Sequence, residues 1–348
     1  MDFISGLYSM YLKDRFGEIQ NYGEEASDIQ SEQLSNLLLE AADTEWGKKF
    51  NFKTIFSYQE FRERIPVQHL SDLLPFLERM KKGEANLLWP GVPKDILLSI
   101  NDSKVPLFLQ AVEEIFLQGF SDSFAIYFQK HPQNKLLEGY SANVGNGTTF
   151  PFMNELYALI RENEPFLSSL LNLPKRVGTD KDGNPSAELV LQEAIDEKVT
   201  SFRGSPKKLE LLLNSALKKT GKSSLYEIWP DAEVLFERGP LKTAELESGR
   251  KLLPNGIKYQ ASYMSPEGFF GIQDDLEESS YLLMIDASTF YEFIPQGGSF
   301  DAIIPLEDVD LGENYQMVLT NCNGLWRCCS EGPLVRFVSK SPFRFILL

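Results

Sequence analysis

Residues able to do chemistry are few in this chain, and their spacing narrows the choice. There are two histidines, His69 and His131, and neither adjoins a serine or cysteine motif. No Gly-x-Ser-x-Gly elbow occurs, so nucleophilic hydrolase chemistry has no support. Cys322, Cys328 and Cys329 lack the spacing of metal ligands and have no companion histidine in their segment. Adjacent cysteines rarely pair with each other, so the expectation is buried, inert thiols. The stretch Val144-Gly145-Asn146-Gly147-Thr148-Thr149 has the residue types of an anion cradle. Its glycines would let backbone N–H groups approach a phosphate, and its hydroxyls would add donors. Short glycine-rich matches are common, however, and a plain turn is the simpler reading. The pairs Asp274-Asp275 and Glu277-Glu278 read as a solvated acidic loop.

The elements that must position such groups follow from periodicity. Residues 31–42 carry Leu34, Leu37, Leu38 and Ala41 at the spacing of an amphipathic helix. Leu209, Leu212, Leu213, Ala216 and Leu217 repeat it, bounded by Pro206 before and Gly221 after. Short β-prone runs dominate the last third, at 233–236, 281–285, 291–294, 315–319, 334–338 and 343–347. Turn-formers such as Gly297-Gly298 and the stretch 321–324 separate them. Helices first and mixed strands later predict a layered α/β fold. Residues 178–184 read as an exposed loop, and no internal repeat is visible.

Composition excludes several partners. At 348 residues the chain can bury a large core without staples. A net charge of −16 repels phosphate backbones and anionic headgroups, which argues against nucleic acid and membrane partners. No stretch approaches the ~20 apolar residues of a membrane helix, and no signal peptide opens the chain. Cysteine usage fits a reducing cytoplasm.

Several ordered stretches then carry a resemblance. They are 43–50 (Asp-Thr-Glu-Trp-Gly-Lys-Lys-Phe), 65–67, 72–91 with Leu88-Trp89-Pro90-Gly91, and Thr220-Gly221-Lys222. Glu227-Ile228-Trp229-Pro230, then 267–274, 290–295 and 323–327, complete the set. In this order they resemble the Gretchen Hagen family of acyl acid amido synthetases, especially its bacterial branch, from about residue 34 to the end. The resemblance implies the large N-terminal domain of an adenylate-forming ligase, with mixed sheets flanked by helices and a smaller β-rich subdomain. One such domain would span 1–348, with a helical segment at 1–30, a mostly α/β part at 31–230 and a strand-rich part at 231–348. The family's mobile C-terminal lid domain is expected to be absent from this chain. It also implies ATP and magnesium as cofactors, a small carboxylic acid as substrate and an amino acid as acceptor.

The family's motifs are altered at the residues that serve these ligands. Its Ser-Ser-Gly-Thr-Thr phosphate loop corresponds to the stretch 98–106, where Ser99 remains, the Gly-Thr-Thr segment is missing and Asp102 adds a negative charge. Its Tyr-x-x-Ser-Glu-Gly motif corresponds to Tyr263-Met264-Ser265-Pro266-Glu267-Gly268. By resemblance Tyr263 would face adenine and Glu267 would hold magnesium, with Ser265 and Gly268 beside them. The ribose aspartate position is Pro333, and Glu331, two residues away, is its potential substitute. The acyl pocket would involve Gly204, Arg238 and Gly239, the last two in Arg238-Gly239-Pro240 where the family has His-Gly-Gly. Together these changes imply a degenerate member that no longer adenylates and retains at most a binding role, for a small carboxylic acid or a protein partner. The alternative is an active ligase with a remodelled nucleotide site built on Tyr263, Glu267 and Glu331.

Overall fold

Strand registers in the computed structural model fix the positions of the candidate residues; the residues described are 2–99, 101–145, 156, 159–160, 162–164, 169–175 and 186–348. The expected loop at 178–184 and the Asn146-Gly147-Thr148-Thr149 part of the glycine-rich stretch lie outside the described residues. Strands are numbered along the chain: β1 Asp95–Leu98, β2 Lys104–Leu107, β3 Tyr140–Gly145, β4 Asn172–Leu173, β5 Val199–Gly204, β6 Val234–Arg238, β7 Lys258–Ser265 and β8 Gly268–Ile272. They continue as β9 Tyr281–Leu283, β10 Thr289–Pro295, β11 Ile304–Pro305, β12 Asn314–Asn321, β13 Leu325–Cys329, β14 Val335–Lys340 and β15 Phe343–Leu347. The chain divides into two compact units.

Unit one comprises Met1–Ile19, Phe120–Tyr263 and Ile272–Ser279. Its sheet has the order β4-β3-β5-β6-β7, with every pairing parallel. β5 and β6 are buried at every residue, as parallel strands covered on both faces must be. The chain steps from β3 to β4 on one side, then returns past β3 to β5 on the other. That reversal is a topological switch point, the place where open α/β sheets receive ligands at their carboxyl ends. Phe124, on the helix Gln118–Lys130, stacks on Phe236 of β6 with ring centroids 4.6 Å apart. Tyr8 and Leu12 of the first helix join the same core. Arg15 secures that helix by donating from Nε and Nη2 to the two oxygens of Asp122, at 2.7 and 2.9 Å.

The helix Pro206–Thr220 forms where its signals put it. Ser205 caps its N-terminus by accepting from Lys208 N–H, and Pro206 fits the first turn, where no N–H is needed. Gly221 ends it in the left-handed region at φ 69°. Leu209, Leu212 and Ala216 form its buried stripe.

Unit two comprises Gln20–Gly119, Met264–Gly271 and Ser280–Leu348. Its strands follow the order β11-β10-β12-β14-β15-β9-β8, with β13 paired to β12. From β11 to β9 the pairings are antiparallel. The expected helix over 31–42 is the second half of a longer one, Tyr22–Glu40, whose Leu34, Leu37 and Leu38 are buried. Gln30 ties it to the sheet: its amide donates to Ile285 and Thr289 carbonyls at 2.7 and 2.9 Å and accepts from Tyr291 N–H at 2.8 Å.

Two of the stretches that carry the resemblance meet in this unit. Trp326 Nε1 donates to the Leu88 carbonyl at 2.9 Å, and its ring stacks on Trp89 with centroids 6.1 Å apart. Gly324 sits at φ 74°, where a Cβ would come within 2.9 Å of the Leu88 side chain. Arg327, next in β13, is fully engaged. Its Nε and Nη2 donate to both oxygens of Glu292 at 2.8 and 2.9 Å, and Nη1 donates to the carbonyls of Arg62 and Ile65.

One sequence expectation is corrected. Asp274 is not part of a solvated acidic loop: it is 6% exposed and paired with Lys130 at 2.9 Å, which compensates its burial. Asp275, Glu277 and Glu278 are exposed. The three cysteines are free and buried, with burial pushing Cys329 up to about 11 and the other two well above their ordinary value. Among the described residues no helix is long and apolar enough to cross a membrane.

Replacing Arg327 tests how much of unit two this pair sustains. Arg327→Met leaves Glu292 buried without its cation, so the variant should lose about 3–5 kcal/mol in urea denaturation. A loss under about 1 kcal/mol would mean that the carboxylate finds other donors.

Candidate functional site

Five of the residues assigned by resemblance to nucleotide binding, Ser99, Ser265, Glu267, Gly268 and Glu331, lie in unit two. β1 and β2 pair antiparallel, with Leu98 opposite Lys104, and the chain between them turns tightly. Ser99 N–H donates to the Ser103 carbonyl at 2.7 Å, and Asp102 sits at φ 61° with its N–H directed at the Ser99 carbonyl. A left-handed residue of this kind is a short, polar turn-former rather than part of a glycine loop.

The two serine hydroxyls of this turn share one acceptor. Ser99 Oγ donates to Glu331 Oε2 at 2.6 Å, and Ser103 Oγ donates to Glu331 Oε1 at 2.5 Å. Glu331 thus spans the turn, accepting one hydroxyl hydrogen bond at each carboxylate oxygen. Ser103 carried no signal of its own in the sequence. Its position four residues from Ser99 across a hairpin is what brings it to the same carboxylate.

Glu267 lies in the connection between β7 and β8 and is 1% exposed. Its Oε2 accepts from Ser330 Oγ and, at 3.5 Å, from Ser265 Oγ; its Oε1 accepts from Glu331 N–H at 3.2 Å. The backbone is held as well: Asn321 Nδ2 donates to the Glu267 carbonyl at 2.8 Å. Burial pushes the Glu267 carboxyl up to about 7, although the hydrogen bonds from Ser330 and Glu331 pull the other way. Gly268 opens β8 with no room for a side chain, because a Cβ would approach the Phe270 ring at 2.8 Å.

These residues do not fit a magnesium ion. A hard cation needs oxygen ligands that are free to turn toward it, whereas both Glu267 oxygens accept hydrogen bonds from protein donors and burial raises the carboxyl to about 7. Among the described residues no group of three or more His, Cys, Asp or Glu is arranged to hold a metal. They do not fit a nucleotide phosphate either, since a carboxylate already takes the Ser99 and Ser103 hydroxyls.

The remaining assigned residues belong to unit one. Tyr263 is fully buried and offers no exposed ring face. Gly204 ends β5 in register with Gly145 of β3, at the switch point, and a Cβ on it would lie 2.3 Å from the Gly145 carbonyl. Arg238 ends β6, and Gly239 follows at φ 154° with its N–H donating to the Ser262 carbonyl at 3.0 Å. The three acyl-pocket residues are thus at the carboxyl ends of parallel strands. Phe120, whose ring lies against Arg238, was not singled out from the sequence.

Comparison with known proteins gives the class and then the family. In fold, the chain is similar to a solved acyl acid amido synthetase, AtGH3.15 in complex with 2,4-DB, with a TM-score of 0.75 at 17% identity over 97% of this chain and 70% of that one. The GH3 family N-terminal domain matches residues 15–103, and the GH3 family central domain matches residues 282–345. The indole-3-acetic acid-amido synthetase GH3.2 of Arabidopsis thaliana is 19% identical over 94% of this chain and 75% of its own length. The jasmonoyl–L-amino acid synthetase JAR6 of Nicotiana attenuata is 23% identical over 89% of this chain and 66% of its own length. The chain thus carries segments matching both the N-terminal and the central domain of the GH3 family, and the relatives it is similar to are named as amido synthetases.

Glu267 gives this site a pH signature. Its folded value of about 7 lies above the ordinary glutamate value of 4.5, so between these the folded state holds the extra proton. Stability therefore falls as pH rises through that window and levels off above it, by on the order of 3 kcal/mol. Glu267→Gln should remove this dependence, so the wild-type curve should drop relative to the variant between pH 4.5 and 7 in denaturant titrations. Parallel curves would show that Glu267 is not held protonated.

Proposed function

We propose that this GH3-family chain does not form acyl-adenylates and acts as a pseudoenzyme that keeps an acid-binding role. The observation that carries the reading is the Glu331 carboxylate, which takes the hydroxyls of both Ser99 and Ser103. A nucleotide phosphate would have to displace an internal anion from those donors. It would also meet Asp102 in the same turn, at a like charge. Glu267, the residue that resemblance assigns to the metal, is wrapped by donors from Ser265, Ser330 and the Glu331 backbone. Each missing charged or hydrogen-bonded contact to ATP removes roughly 1.5–3 kcal/mol, so the combined changes weaken binding by several decades. The acid-binding part rests on the family's chemistry and on the position of Arg238 and Gly239 at the carboxyl end of β6.

A second reading, an active ligase with a rebuilt nucleotide site, draws on one specific observation. Ser99, Ser265, Glu267 and Glu331 converge in a single hydrogen-bond network instead of scattering. Two carboxylates and several hydroxyls in one place could be re-sorted around a ligand.

Calorimetric titration of ATP with magnesium separates the two. The pseudoenzyme reading expects no heat at millimolar nucleotide from protein shown to be folded by circular dichroism. Binding at micromolar concentration would overturn it and make pyrophosphate exchange the next assay.

A further inference from the structure

Unit two encloses a cavity of about 140 Å³ that none of the residues assigned by resemblance lines. It lies between the helix Tyr22–Glu40, the segment 55–58, and residues of β10, β11 and β15. Its floor is apolar: Leu34 and Leu38, one helical turn apart, meet Ile55, Phe290 and Phe343, and all five are buried. The Tyr58 ring stands beside Phe290 with centroids 5.8 Å apart. Phe56, also in the lining, is 85% exposed and carries the apolar wall out to the surface. Its N–H donates to Glu60 Oε2 at 2.8 Å, which fixes the backbone there. An apolar cavity of about 150 Å³ accepts one benzene ring, so the volume here suits a single ring.

The polar groups of the lining decide which ring fits. Gln30 borders the cavity, but both its amide hydrogens go to the Ile285 and Thr289 carbonyls and its oxygen accepts from Tyr291 N–H. Tyr58 OH is committed to Glu292 at 2.9 Å. The floor therefore makes few polar demands on a guest. Hydroxyls and a carboxylate gather at the solvent side, where Ser27 donates to Glu307 Oε2 at 2.5 Å and Ser31 and Ser35 are exposed. Among the described residues of the lining Glu307 is the one charged group, and no Lys, Arg or His is present. A carboxylate guest would leave water without a cation to receive it and would face a like charge.

We propose that this cavity binds a single-ring aromatic compound with an uncharged hydroxyl, a phenol. The ring lies against Leu34, Leu38, Ile55 and Phe290, and the hydroxyl turns toward the serines and Glu307. Apolar walls with a few polar groups at one end are the usual build of a small-molecule site. The inference goes beyond the proposed function: it concerns a different cavity and a ligand that is not an acid, and it requires no nucleotide.

The test is calorimetry on the full chain with phenol, p-cresol and benzoate, paired with methyl spectra of leucine- and isoleucine-labelled protein. At least one of the two phenols should bind at millimolar concentration or below and move the Leu34, Leu38 and Ile55 methyl resonances. Benzoate should bind at least tenfold more weakly. Ser31→Trp places a large ring over the mouth from an exposed helix position, so it should weaken the phenol tenfold or more with the melting temperature unchanged. Ala26→Leu, which fills space from the buried wall, should weaken it as well. The inference is overturned if neither phenol gives heat at millimolar concentration, or if one binds without moving those three methyl signals. It is also overturned if benzoate binds as well as the phenols, or if folded Ser31→Trp leaves binding unchanged. Should that variant fail to fold, the methyl shifts of the wild-type chain decide. ATP binding would sink the pseudoenzyme reading and leave every one of these outcomes as it is.

Discussion

Arg327 sits where separate segments of unit two come together, and much of that unit's arrangement depends on it. Its side chain meets Glu292 of β10 and the carbonyls of Arg62 and Ile65. Its own N–H donates to Thr320 Oγ1 of β12, and Tyr58 OH donates to the same Glu292. A planar cation with five fixed donors can hold several backbone segments at set angles, which an apolar contact cannot. The residue also occupies φ 46°, an unfavourable conformation for any residue that carries a Cβ, so the surrounding contacts must hold it there.

The same rule explains the nucleotide-motif remnant. A carboxylate removed from water needs donors, and Glu267 obtains them from two serines and a backbone N–H. Glu331 obtains them from the hairpin turn. With these acids satisfied internally, the turn has a reason to stay folded that needs no ligand. In unit one Arg238 differs: its guanidinium lies against an aromatic ring, and among the described residues no acceptor reaches its Nε or Nη2.

Local signals carried much of the architecture. Ser205, Pro206 and Gly221 bracket a helix by capping chemistry that needs no distant partner, and the run 343–347 forms a strand over those same residues. The α/β class followed from the order of such elements. Contacts between residues far apart in the chain were not legible. Arg15 and Asp122 are 107 positions apart, and Ser99 and Glu331 are 232 apart, so no periodicity connects them. Asp274 shows the cost of that limit, because an acidic run looks solvated until Lys130 is brought beside its first member. The motif residues could be named by resemblance, but whether their oxygens face a ligand or one another depends on the fold.

The Trp326–Leu88 hydrogen bond has a bearing on how relatives of this chain are recognised. Gly324, Trp326 and Arg327 are retained alongside Trp89, and every one of them has a packing or hydrogen-bonding duty inside unit two. Selection for a folded protein would keep these letters whether or not any acid is ever activated. A search keyed to Gly-Leu-Trp-Arg therefore gathers scaffolds. The turn that follows β1, where Ser99 and Ser103 hold a carboxylate of the chain's own, lies outside that set of letters.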